Sequence, residues 1–159
     1  MQINSETETH NHQFASIADA KTFALAGNAT ITLESLKSGI HFTFKIKEAA
    51  AKSNIPFEDS PIHFVTLLCD GSADDGTFRY LGIVRNGAFI LTRASKATES
   101  APSVKAIKYF FGLKGDEIPA QLVIRHEMKC GRCGRTLTVP SSIDRGIGPD
   151  CAELMGLDL

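Results

Sequence analysis

The chain has 159 residues, of which 43% are hydrophobic and 22% charged, and its formal net charge at neutral pH is -1. That length covers one ordinary domain, or a modest domain with a small appendage, and the near-zero charge removes any global electrostatic reason for avid binding to nucleic acid or an anionic membrane. No run approaches the roughly 18 apolar residues that cross a bilayer, and the start, Met1 to His12, is polar and acidic where a secretory signal is basic and then apolar.

Residues 1–13 show no apolar periodicity and read as a frayed N-terminus, in which His10 and His12 are more simply two solvated histidines than metal ligands. From Phe14 the pattern turns β. Ile31 and Leu33 alternate with Thr30, Thr32 and Glu34, Lys37-Ser38-Gly39 makes a turn, and Phe42, Phe44 and Ile46 alternate again. This predicts a hairpin with one buried and one wet face. A polar linker holding Pro56 and Pro61 follows. A second strand pair, Ile62 to Cys69 and Thr77 to Val84, flanks the acidic loop Asp70 to Asp75. That loop lacks the spaced donors and terminal Glu of a calcium loop, and Cys69 reads as a small core residue. Asn86-Gly87 predicts a tight turn into another strand, Ala88 to Thr92.

Pro102 suits the first turn of a helix in which Val104, Ile107 and Phe111 recur at helical spacing, with Lys105 and Lys108 outward and Gly112 and Gly115 at the end. A last strand, Gln121 to Arg125, leads into a cysteine cluster. The expected class is α+β: an antiparallel sheet with one packed helix over residues 14–124, then a small treble-clef-like zinc module over 125–159.

That module begins His126-Glu-Met-Lys-Cys130-Gly-Arg-Cys133-Gly-Arg135 and ends Gly148-Pro149-Asp150-Cys151. In a cytoplasmic, reducing setting a Cys-x-x-Cys pair holds metal or does redox work more often than it forms a structural disulfide. Gly131 and Gly134 let the backbone turn tightly around the two sulfurs, and Pro149 starts a short helix with Cys151 in its first turn, where a thiolate is favoured. A redox dithiol would want a helix starting at the pair, which is missing. The helix position that commonly holds a fourth ligand is Leu154, so His126 is the expected fourth donor beside Cys130, Cys133 and Cys151, with Glu127, Asp144 and Asp150 weaker candidates. Four protein ligands close the coordination sphere and make a Zn2+ ion structural. A deaminase-type catalytic site would need a different spacing, because Glu127 directly follows His126.

The string CGRCGRTLTVPSSIDRGIGPDCA, with Cys130, Gly131, Arg132, Cys133, Gly134, Arg135, Leu137, Thr138, Gly146, Gly148, Pro149 and Cys151, resembles the C-G-R-C-G-R-x-L-T…G-x-G-P-x-C motif of a family of unknown function found largely in bacteriophage and prophage proteins. His126 and the helix start Ala101 to Lys105 also resemble longer phage members. The resemblance implies a phage origin and a zinc site, and it implies no activity; the polar start and the cysteine usage point to a cytoplasmic location, the host cytoplasm if the chain is phage-encoded.

Three functions compete. The first is a non-enzymatic accessory protein that contacts nucleic acid through Lys129, Arg132, Arg135 and Arg145, against which Glu127, Asp144, Asp150, Glu153 and Asp158 balance the local charge. The second is a protein-interaction factor that binds or inhibits a host defence, replication or transcription component. The third is an enzyme, for which the sequence shows no nucleophile with an adjacent base, phosphate-binding glycine loop or paired carboxylates; His41 and His63 lie within strand patterns. Non-enzymatic binding without a membrane partner is the expectation.

Overall fold

The computed structural model describes residues 13–49, 62–71, 76–137, 143 and 146–157. His10, His12, Pro56, Pro61, Asp74, Asp75, Asp144, Arg145 and Asp158 therefore lie outside the described residues.

The segment after Phe14 is helical, not β. Ser16 accepts the Asp19 amide through its hydroxyl and so caps helix α1, Ile17–Ala24. Ile17, Ala20, Phe23 and Ala24 are buried along it at helical spacing. Two of those four positions are alanines, which weigh little in a hydrophobic pattern; the cap was the stronger signal. The start of α1 is held by Asp116, whose carbonyl accepts the Ile17 amide at 2.8 Å and whose carboxylate accepts the Ala18 amide at 2.9 Å, a favourable charge for a helix N-terminus.

The strands follow the alternation read from the sequence. They are β1 (Asn28–Ser35), β2 (His41–Glu48), β3 (His63–Asp70), β4 (Thr77–Arg85), β5 (Ala88–Ile90) and β6 (Leu122–His126). All pair antiparallel in one six-stranded sheet of order β5-β4-β3-β2-β1-β6. Asn86 and Gly87 both take positive φ, 54° and 77°, in the tight turn between β4 and β5. Strand β5 stops short of Thr92 because the Thr92 amide is taken by the Ser95 hydroxyl at 2.9 Å. Cys69 is exposed, not a core residue, since a register shift between Leu68 and Asp70 displaces it from the alternation. The wet face of the β1–β2 hairpin is partly closed: Thr32 and Thr43, opposite one another, are buried with their hydroxyls 2.7 Å apart.

Helix α2, Pro102–Gly112, carries the chain across the sheet so that β6 pairs with β1 at the far edge, and it buries Val104, Ile107, Phe110 and Phe111. Lys21 of α1 donates to the Phe111 and Leu113 carbonyls at 3.2 and 2.7 Å, capping the C-terminal end of α2. The helices and the inward side chains of the sheet, among them Ile31, Phe44, Ile46, Val65 and Ile124, share one hydrophobic core. Cys130, Leu137, Ile147, Cys151 and Ala152 belong to that same core. Residue 125 is thus no break in the packing, and the cysteine segment is built onto the sheet and α1.

Phe23 joins the two parts, being 1% exposed with its ring 5.1 Å from that of Phe14 and 5.5 Å from that of His126. Truncating it as Phe23→Ala is expected to cost about 3–5 kcal/mol of unfolding free energy in urea titrations. A cost near that of a surface substitution would show that the cysteine segment does not lean on α1.

Candidate metal centre

Beyond β6 the chain reverses at Met128, which holds a positive φ of 62°. The reversal is closed by three backbone bonds at 2.8 Å: the amides of Leu137, Cys130 and Gly134 donate to the carbonyls of Met128, Arg135 and Cys130, the first two making the antiparallel bridge between Lys129 and Thr136. The result is a knuckle that returns Cys133 over Cys130. Its outer corner needs glycine at Gly134, where φ is 81°. Its inner corner needs glycine at Gly131 for another reason: a Cβ there would lie 2.6 Å from the Phe23 ring and 2.8 Å from the Phe23 carbonyl oxygen.

Two further bonds fix the knuckle from both sides. The Asn28 amide at the start of β1 donates to the Gly131 carbonyl at 2.6 Å, and the Gly131 amide donates to Gly146 at 2.8 Å. Residues 146–148 then lead into helix α3, Pro149–Leu154, with proline in its first turn and Cys151 buried. The knuckle and helix start bring the Cys130, Cys133 and Cys151 sulfurs within 4.8 Å of one another, with Cys130 and Cys151 buried and Cys133 exposed. Residues 138–142, between the knuckle and α3, lie outside the described residues.

The local field is arranged around thiolates. Burial pushes the Cys130 thiol up, yet the amides of Gly148, Cys133 and Arg132 and the Cys133 side chain outweigh it and leave Cys130 below its ordinary value. Cys151 is held above its ordinary value by burial and by its two sulfur neighbours, against the opposing pull of Arg132. Arg132 serves both sulfurs, with its amide 3.4 Å from Cys130 Sγ and its guanidinium 3.6 Å from Cys151 Sγ. In sequence Arg132 is a candidate for phosphate contact; in the structure its guanidinium lies against the cysteines.

His126, the expected fourth ligand, is not brought to the sulfurs. It is 1% exposed, its Nδ1 accepts the Met128 amide at 2.9 Å, and its Nε2 donates to the Ile143 carbonyl at 2.6 Å. Neither ring nitrogen offers a lone pair to a metal in this arrangement. The ring instead stacks against Phe14 and Phe23 and ties β6 to the segment before α3. No other His, Asp or Glu among the described residues joins the three cysteines. Lys129 and Arg135 are exposed on the knuckle, and Arg145 lies outside the described residues. Of the remaining histidines, His63 is buried with Nε2 3.1 Å from the Leu25 carbonyl, and His41 is exposed.

The donor set suits a thiophilic ion. Tetrahedral zinc with Zn–S bonds of about 2.3 Å holds its sulfurs roughly 3.8 Å apart, so the thiols need to close by no more than about 1 Å. One such ion with three thiolates carries a formal charge of about -1, which the adjacent Arg132 offsets.

Residues 120–156 match the model of a family of unknown function, DUF6011. The match takes in β6, the knuckle and α3. No curated protein and no solved structure matches the chain.

Two substitutions separate the roles of these residues. His126→Ala is expected to lower stability by about 1–3 kcal/mol through the loss of its hydrogen bonds to Met128 and Ile143, while metal content per folded chain, read by plasma emission spectroscopy, stays at the wild-type level. Cys151→Ser is expected to abolish that metal content. The opposite pattern would return His126 to the ligand set.

Proposed function

We propose that Cys130, Cys133 and Cys151 hold one zinc ion with a structural role, and that the chain is a non-enzymatic, phage-type accessory protein that contacts nucleic acid through its zinc segment. The observation that carries this reading is the convergence of three thiols on the edge of the core with Arg132 between them. Two of the sulfurs sit in the core, one on the knuckle and one on α3. An ion shared between them joins two short segments that have little apolar surface of their own. With His126 withdrawn, three protein donors leave one tetrahedral position to another donor. No histidine or carboxylate among the described residues stands at the cluster to act as a base there.

Phosphate contact falls to Lys129 and Arg135, both exposed on the knuckle, with Arg145 nearby in sequence. Small rigid zinc modules present such side chains with little loss of conformational freedom on binding. A second reading, docking to a host protein, has an observation of its own. An apolar groove of about 430 Å³ runs between α2 and the tip of the β1–β2 hairpin, lined by Leu33, Phe42, Ala106 and Leu122, with exposed Ile40 and Tyr109 at its rim.

Purified protein is expected to contain one zinc per chain and to lose thermal stability on chelation. Zinc affinity is expected to fall as pH falls, because each thiol must release its proton to bind. Labelled DNA or RNA is expected to bind in a salt-dependent way, with the double variant Lys129→Ala/Arg135→Ala weakening affinity and reducing the slope of log K against log salt by about 2. No binding at low salt would end the nucleic-acid reading. Capture of a host protein that is lost in Ile40→Ser/Tyr109→Ala would favour the groove.

A further inference from the structure

The face of the sheet opposite the core carries an ordered set of aromatic and basic side chains that the zinc segment does not explain. Strand register puts Lys47 opposite Phe64 and Phe64 opposite Ile83, and in the next row Lys45 opposite Thr66 and Thr66 opposite Tyr80. Phe64 is 46% exposed, and its ring meets that of Tyr80 edge-on at 6.5 Å. Tyr80 is steadied by its hydroxyl, 2.7 Å from that of Thr92. Lys45 Nζ stands 4.5 Å above the Phe78 ring. In sequence these residues look like the wet halves of separate strands. The antiparallel pairing of β2, β3 and β4 gathers them into one patch.

Charge on this face is one-sided. Among the described residues, Glu34 near the β6 edge is ion-paired to Arg125 and Asp70 lies at the far end of β3, while neither Lys45 nor Lys47 has an ion pair there. The patch also reaches the knuckle: Asn28 stands opposite Lys47, and a Cβ at Gly134 would lie 3.1 Å from the Asn28 side-chain nitrogen. Arg135, exposed and next to Gly134 in the chain, lies at that end of the patch.

We propose that this face binds single-stranded nucleic acid, with bases stacking on Phe64 and Tyr80 and phosphates held by Lys45 and Lys47. The two rings lie 6.5 Å apart on neighbouring strands, within reach of adjacent unpaired bases, whereas a duplex hides its base faces from any such platform. Cations flanking rings at this spacing match a ribbon with one negative charge per nucleotide. A second copy of the chain fits less well, because two such faces would set lysines against lysines. The proposal deepens the nucleic-acid reading while resting on residues separate from Lys129 and Arg135.

Fluorescence anisotropy of the zinc-loaded full chain with labelled single strands and duplexes of about 12 nucleotides tests it. Single strands are expected to bind at least about fivefold more tightly than the duplex, and Phe64→Ala and Phe64→Leu to weaken single strands by at least about fivefold with duplex binding unchanged. Phe64→Leu keeps the apolar bulk and removes only the π face. Lys45→Glu/Lys47→Glu is expected to weaken binding as well, and gives the same answer should Phe64 variants not fold. Binding of single strands and duplex alike, lost in Lys129→Ala/Arg135→Ala but not in the Phe64 or lysine variants, would overturn this proposal and leave the zinc-segment reading standing. Loss in the Phe64 and lysine variants alone would do the reverse. No binding by the wild-type chain, or a concentration-dependent dimer in sedimentation that Phe64→Ala dissolves, would overturn the proposal.

Discussion

The approach of the Gly131 backbone to the Phe23 ring is the contact on which the rest of the site depends. The space is so close that no side chain fits at Gly131. Around that contact, Asn28 holds the knuckle to β1, Gly146 holds it to the entry of α3, and His126 ties β6 to Ile143. The cysteines are thus delivered by two separate pieces of chain, the knuckle and α3, that the core itself aligns. A small metal module usually relies on its ion for most of its order. Here the sheet and α1 do part of that work, and the ion would join segments already placed near one another.

The chemistry of the cluster follows from its position. Two buried sulfurs resist ionisation, and the knuckle answers for Cys130 with amides directed at it, while Arg132 supplies positive charge to Cys151. That arginine links two readings of the motif. It lies between the paired cysteines in sequence, where it looks available to phosphate, yet its guanidinium is engaged with the cluster. The knuckle meets the lysine-bearing strands where Gly134 lies against Asn28, which stands opposite Lys47, and Lys129 and Arg135 are exposed on that knuckle. A zinc-ordered knuckle would then set one border of a larger surface rather than form the whole of it.

Much of this architecture was legible in the chain because alternation is a strong signal. The β1–β2 hairpin, the strands β3 and β4, the Asn86-Gly87 turn and α2 follow from residue spacing and turn chemistry. Helix α1 was not legible, since alanines at 20 and 24 carry its buried stripe. Cys69 was misread because a bulge breaks the period of two on which the reading relied. His126 shows a different limit. Its residue type and its distance from Cys130 suit a ligand, but ligation depends on where each ring nitrogen points, and that is set by the Met128 amide and the Ile143 carbonyl. The aromatic and basic face was hidden for a related reason: its members lie on three strands, and only their pairing makes them neighbours.

Zinc-edge X-ray absorption of the purified protein separates zinc bound by three thiolates, with His126 left in the core, from a site that includes the imidazole. Three sulfur scatterers at about 2.3 Å with no imidazole outer-shell signal from the protein are expected. A first shell of two or three sulfurs with a protein imidazole, or a protein that takes up no zinc, would contradict the three-thiolate site.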